Sequence, residues 1–423
     1  MMSAALVGLM LVFGQPDGSA TSLPAGLEHP AAATLPTSSD PSLVPPIDQF
    51  GLPAPLWVFQ LLLPLTFFLH VVFMNLALGT AVLLGPFWWA SKSRPHFVDI
   101  TSRLLRVWPV ALSMTITTGV APLLFVQVLY GHMFYTGNIL LGFVWFAIIV
   151  LLLADFYAIY LVLGRAFEKP AEDSDAQPVL RGPSVFNLIL IALIAVSMLA
   201  IAAIFTANST LMLVPDSWRD VRDGVASPFW VHAMFVPRLM HNVIGSLAVT
   251  SLIVAVLART ARTIDDGIRL AAASTGLFLT AVFTGAQILS GFVFLLTIWN
   301  DAAGAFLDPT TGTLLWAVAV ASGMAAFFVL VFHSINHPEK SSAVWIPVAL
   351  ITVTLAGMSA GRERLRVGML SKIDGALYTA DQVRTQPVTA WLFVGVLLLG
   401  LGLIALMLYW SYHAPRRSEP GDA

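Results

Sequence analysis

The feature that most constrains this chain is a series of apolar stretches, each of about 18 residues or more, the length a helix needs to cross roughly 30 Å of hydrocarbon. Nine are legible, near 55–90, 108–130, 136–164, 184–207, 236–258, 268–299, 313–334, 342–360 and 388–412. A backbone in lipid must satisfy its own N–H and C=O groups, so each stretch is expected to be a helix and the fold an all-α, polytopic transmembrane bundle. With 58% hydrophobic and only 10% charged residues, the 423-residue chain has too little polar surface for a water-soluble domain. Membrane lipid is the expected solvent for most of it.

The basic residues of the short connections set an expected orientation. Lys92, Arg94, Arg103 and Arg106 follow the first stretch, Arg165, Lys169 and Arg181 the third, Arg259, Arg262 and Arg269 the fifth, Lys340 the seventh, and Arg416 and Arg417 the ninth. All fall on one side, which places the N-terminus outside and the C-terminus inside. The connection after the eighth stretch breaks the pattern with Arg362, Arg364, Arg366, Lys372 and Arg384 on the outer side. Such a cluster either neutralises buried anions, for which a guanidinium fork is suited, or forms a solvated loop or a partner contact.

Residues 1–50 read as a flexible N-terminal tail, rich in Pro, Ser, Thr and Ala over 21–50 and carrying a short apolar run at residues 4–13 that is signal-like but lacks a basic start. The helical domain is expected over 51–413, with a cytoplasmic tail over 414–423. A net charge of −2 with no basic block argues against a nucleic-acid partner. The absence of cysteine excludes disulfides, thiolate metal sites, iron–sulfur clusters and thioether-linked haem on this chain, so a redox centre here would rest on histidine and methionine.

Depth sorts the nine histidines. His29 lies in the tail, His96, His337 and His413 in inner connections or helix ends, and His132 and His232 in outer connections. His333 and His337 are spaced i,i+4, which suits either a metal pair or, beside Pro338, an ordinary surface pair. His70, in FQLLLPLTFFLHVVFMNLALG, and His241, in RLMHNVIGSLAV, fall inside apolar stretches. An imidazole in hydrocarbon is costly and faces the bundle interior, either bridging helices or ligating a metal such as haem iron. Asp155 is the clear intramembrane carboxylate, to be read as a local hydrogen-bonding group or as part of a proton path. Among 14 methionines, Met324 and Met358 lie where a second axial ligand would be wanted, although packing is the ordinary role of such residues.

At these positions the chain resembles subunit I of the cytochrome bd quinol oxidases. The stretch from His70 to Gly79 is similar in register to the family's first helix, and SMTITTGVAP resembles its ATG-containing segment. FTANSTLMLVP resembles the family's I-A-N-S-W-M-Q-x-P, RLMHNVIGSLAV its F-V-H-T-V, and AGRERLRVGMLSKIDGALYTADQV its G-R-Q-P-W segment and the residues just after it. The matches run in order over about 55–385. The resemblance implies that His70 ligates a haem of the active-site pair, that His241 ligates a low-spin haem b near the outer face, and that Arg362 is the arginine beside the haems. Arg364 would join it on the propionates.

The departures bear on function. The family's haem-ligating glutamate, three residues before that arginine, is Ser359 here, with Met358 beside it, and the acidic residues of its oxygen site are matched by Phe125 and apolar neighbours around Gln127. The methionine ligand of the low-spin haem falls near Ala319 or Ala321, with Met324 as a substitute one turn on, and the long quinol-binding connection shrinks to residues 300–313.

Oxygen reduction needs four electrons and four protons, whereas a closed haem b needs only axial ligands, a dry pocket and propionate partners. The expected function is therefore a subunit carrying one or two haem b groups in a bacterial-type inner membrane. It would pass electrons from quinol to a partner redox protein, such as a c-type cytochrome or iron–sulfur protein, within a complex of several subunits. The alternatives are a true quinol-oxidising, oxygen-reducing subunit and a haem-free scaffold or transporter.

Overall fold

The computed structural model describes residues 44–47, 51–168, 179–261, 265–379 and 382–388, with pairs and single positions beyond to 409. The signal-like run and the C-terminal tail lie outside the described residues. Ten α-helices come in order: α1 (Leu56–Ala90), α2 (Pro95–Leu141), α3 (Phe143–Ala166), α4 (Val185–Leu211), α5 (Trp218–Arg222), α6 (Phe235–Thr260), α7 (Asp266–Thr297), α8 (Trp299–Leu307), α9 (Thr311–Val329) and α10 (Ser342–Leu370). A π-helical turn, Leu330–Ser334, extends α9. Eight of these, all but the short α5 and α8, are long and apolar enough to cross a membrane. The ninth expected span falls largely outside the described residues; those described between 387 and 409 are helical where the backbone is assigned.

Three of the helices begin where a side chain replaces missing backbone partners. Ser184 caps α4 through the Asn187 amide, Asp265 caps α7 through Gly267 and Ile268, and Thr310 caps α9 through Thr313. Within the spans, many Ser and Thr hydroxyls return to carbonyls one turn back, as Thr66 does to Leu62 at 2.7 Å and Thr280 to Gly276 at 2.7 Å, which offsets their desolvation cost. Large apolar side chains such as Ile139, Phe143 and Tyr157 point outwards, as a lipid-facing surface requires.

Successive spans run antiparallel, so the bundle has a near end, where α1 begins, and a far end. α1 packs on α2 and α6, α6 on α7, and α9 on α10, while α3 and α4 pair on one flank. The approach of α1 to α6 is close: a Cβ added at Gly79 would stand 2.2 Å from the Thr250 Oγ1, which itself donates to the Asn75 carbonyl at 2.9 Å. Small residues at such crossings let backbones meet where no hydrophobic force distinguishes protein from lipid. The two largest of four apolar clusters among the described residues lie at opposite ends of the bundle. One, at the near end, includes Val44, Leu63, Met133, Leu211 and Met369, and the other, at the far end, includes Trp88, Leu104, Trp108 and Ile191.

Several expected boundaries move. Residues 136–141 belong to α2, and the third span starts at 143, because Gly142 turns the chain with φ +55°, a conformation that favours glycine. His132, expected in a connection, consequently lies in α2. The shortened 300–313 connection contains α8. Most consequential is α10, which runs to Leu370, so that Arg362, Arg364 and Arg366 are helical and partly or wholly buried rather than on a loop. A span that long is possible because Arg364 and Arg366 find polar partners at the near end and Arg362 an aromatic face.

Candidate functional site

His70 sits in the middle of α1 against α2. Its Nδ1 lies 3.0 Å from the Thr115 carbonyl oxygen; a carbonyl only accepts, so Nδ1 carries the proton and Nε2 carries the lone pair. Nε2 has no hydrogen-bond partner among the described residues. Its ring rests on Gly119 of α2, where an added Cβ would stand 2.9 Å from Cε1. An imidazole anchored through one nitrogen to a backbone carbonyl and open at the other is the arrangement of a metal-ligating histidine, its tautomer and orientation fixed by the outer bond.

One turn nearer the near end, the Phe67 ring carries the Arg362 guanidinium of α10 on its face, 4.0 Å from the centroid. Among the described residues Arg362 has no hydrogen bond or salt bridge. Met358 stands four residues before Arg362 and shares that helix face, at about the depth of His70. Ser359, where the resembling family has a glutamate, is buried and donates to the Leu355 carbonyl at 2.9 Å.

His241 stands differently. Its Nε2 accepts from the Gln287 amide at 2.9 Å and its Nδ1 donates to Ser290 Oγ at 3.1 Å, while Ser290 donates onward to the Gln287 carbonyl at 3.0 Å. These bonds tie α6 to α7, the work of a helix-bridging histidine, and Nε2 opens to a ligand only when Gln287 turns away. The ring also lies against Gly291, where a Cβ would stand 3.1 Å from Cε1. Met324 on α9 is one turn from Phe327, whose ring packs on Gly285, two residues before Gln287. That places Met324 at about the depth of His241.

The structure brings His70 and Arg362 together but parts Arg364 from them. Two residues apart on one helix, the two guanidiniums leave opposite sides. Arg364 donates to the Ala305 carbonyl at 2.8 Å and lies 3.6 Å from the Asp308 carboxylate. With Asp301 and Lys372 it lines a cavity of about 340 Å³ between α8 and α10.

Three further residues of the near end escaped the sequence reading. Glu363 accepts from the Tyr130 hydroxyl and from Arg366, and Arg366 also lies over the Tyr130 ring. Tyr130 reaches α10 because α2 kinks at that residue. Arg238, one turn before His241, is 8% exposed and among the described residues makes one hydrogen bond, from Nη1 to the Ser209 carbonyl at 3.3 Å. The signals were present: an arginine at i−3 from a buried histidine, and a lone glutamate inside an arginine run. Asp155, by contrast, is 3% exposed and accepts from Ser197 at 2.8 Å, a local bond between α3 and α4. His333 donates to or accepts from Ser342 at 2.9 Å, and His337 lies 3.6 Å from Glu339.

No protein-family model matches the chain, and no curated protein sequence does. Among solved structures, the chain is similar to the bd oxidase from Geobacillus thermodenitrificans, with a TM-score of 0.55 and 14% identity over 85% of this chain and 99% of that one. At that identity the likeness is one of fold: this protein is a multi-pass helical membrane protein with a bd-oxidase-like bundle.

Proposed function

We propose that the chain is a haem b-carrying electron-transfer subunit of a membrane respiratory complex, taking electrons from quinol and handing them to a partner redox protein at the near end, which would face outwards. The single observation that carries this reading is His70, anchored at Nδ1 by Thr115 and without a partner at Nε2 among the described residues, with the Arg362 guanidinium stacked on Phe67 one turn along α1. These residues fit a porphyrin: an imidazole for iron, a cation for a carboxylate, and apolar helix faces around them. When bound, haem supplies a reversible one-electron carrier. The chain's own contribution is to fix the imidazole, exclude water with the near-end apolar cluster, and offset the carboxylates.

At the second site His241 would serve as ligand once Gln287 rotates, with Met324 at a similar depth on α9. Met358, at about the depth of His70, would be a further candidate ligand. A haem-free, helix-bridging role for His241 is the second reading, favoured by its two bonds to Gln287 and Ser290.

A pyridine haemochrome assay on the purified full-length protein tests the proposal. One or two haem b per chain are expected, and a colourless protein from a haem-replete host overturns it. Sustained, cyanide-sensitive oxygen uptake with a quinol donor would instead favour an oxygen-reducing subunit.

A further inference from the structure

α8 and α10 meet through their smallest residues. A Cβ added at Gly368 would stand 2.2 Å from the Ala305 Cβ, and around that contact each helix turns one face to the other. Asp301, Ala305 and Asp308 follow one another at i, i+4 and i+7, and so do Arg364, Gly368 and Ser371. Asp308 meets Arg364 and Ala305 meets Gly368, so the two helices run antiparallel and Asp301 falls at the Lys372 end. The cavity of about 340 Å³ that these residues line is of a size that small ligands occupy.

Its charged groups are not used up on one another. Arg364 Nη2 donates to the Ala305 carbonyl at 2.8 Å, while the nearest Asp308 oxygen is 3.6 Å away, beyond hydrogen-bond length. The other nitrogens of that guanidinium have no hydrogen-bond partner among the described residues, and its stem is fixed from α9, where a Cβ added at Gly312 would stand 2.5 Å from Cδ. Lys372 is exposed and its ammonium has no ion-pair partner among the described residues. Asp301 lies 3.4 Å from His232 Nε2.

Two carboxylates and two cations make a lining of both signs and no net charge. An ion of one sign would leave half of it uncompensated, and an uncharged ring such as a quinol would use neither half. A zwitterion uses both. The depth of the cavity says which kind: α8 begins two residues after the span α7 ends at Thr297, and α10 ends at Leu370, so the cavity sits where spans leave the hydrocarbon. Leu307, beside Asp308, and Leu314, in the first turn of α9, are exposed there and suit acyl chains. At that boundary the abundant zwitterions are lipid headgroups.

We infer that this cavity binds the phosphoethanolamine headgroup of a phospholipid, its phosphate at Arg364 and Lys372 and its ammonium at Asp301 and Asp308. A guanidinium fork matches phosphate oxygens, and a primary ammonium brings three donors to carboxylates. The site is independent of haem.

The test uses full-length protein in detergent, with thermal unfolding and native mass spectrometry as readouts. Phosphatidylethanolamine is expected to be retained as one copy per chain and to raise Tm at about tenfold lower concentration than phosphatidylcholine, whose ammonium has no N–H, or phosphatidylglycerol, which has no ammonium. Asp301→Asn and Lys372→Gln are each expected to abolish that preference, and Lys372→Gln, at an exposed position, carries the test if Asp301→Asn does not fold. Equal stabilisation by the three lipids, or a preference that survives in Lys372→Gln, overturns the inference. So does protection by soluble phosphoethanolamine matching that by the lipid, which would assign the cavity to a soluble zwitterion, or protection by a short-chain quinol analogue that Lys372→Gln removes, which would assign it to a quinol.

Discussion

His70 of α1 donates from Nδ1 to the main-chain carbonyl of Thr115 on α2 across 3.0 Å. The bond joins two spans and at the same time leaves the Nε2 lone pair without a hydrogen-bond donor among the described residues, so the contact that joins the helices also fixes the nitrogen that the proposed ligation would use.

Removing the ring and displacing it should then have the same spectral consequence. His70→Ala is expected to lose one haem component from the reduced-minus-oxidised spectrum. Gly119→Val keeps the histidine but puts side-chain atoms where a Cβ would already stand 2.9 Å from Cε1, so the same component should fall without loss of the other. If Gly119→Val leaves the spectrum intact, the ring is not held where iron would need it.

His241 and Gln287 separate ligation from helix bridging. If Nε2 coordinates iron, the Gln287 amide competes for the same lone pair, and Gln287→Ala should preserve or raise haem occupancy while His241→Ala removes it. If His241 only joins α6 to α7, both substitutions should lower thermal stability by about 0.6–1 kcal/mol, the scale of a hydrogen bond between membrane helices, and neither should alter the spectrum. Haem stoichiometry beside thermal unfolding distinguishes the two.

The crossing of α1 and α6 should tolerate loss of a hydrogen bond better than gain of a methyl group. Thr250→Ala removes the bond to the Asn75 carbonyl and is expected to cost about 1 kcal/mol or less. Gly79→Ala sets a methyl group 2.4 Å from the Ser246 carbonyl and 2.2 Å from the Thr250 hydroxyl, and overpacking of that kind costs about 1–3 kcal/mol or more. Unfolding in detergent should rank them in that order; equal effects would mean that the helices are free to move apart.

The fold was largely legible because length and apolarity are sufficient to call for a membrane helix. The eight described spans coincide with expected stretches, and the shifts at Gly142 and Leu370 come from a glycine turn and from charged residues that hydropathy assigns to water. That second failure hid much of the site. Arg362, Arg364 and Arg366 look like loop residues until α10 is seen to carry them inside, where Glu363, Phe67 and Ala305 receive them. His70 was legible because an imidazole in an apolar run is conspicuous. The carbonyl of Thr115 and the amide of Gln287, 45 and 46 positions away from the histidines they hold, were not, since helix pairing decides them.

Glu363 also allows the energetics of a buried ion pair to be read directly. It is the described carboxylate that faces Arg366, with side chains 12% and 5% exposed, and its removal leaves Arg366 buried without an anion. Glu363→Leu is therefore expected to destabilise by about 3–5 kcal/mol, as broken buried pairs do. Replacing both partners, Glu363→Leu with Arg366→Met, removes the stranded charge, so the double variant should be more stable than Glu363→Leu alone. Tyr130→Phe, which deletes one hydroxyl, should cost only about 1–2 kcal/mol. Thermal unfolding of the three variants gives the ranking, and a double variant less stable than Glu363→Leu would show that Arg366 is held by something other than its carboxylate.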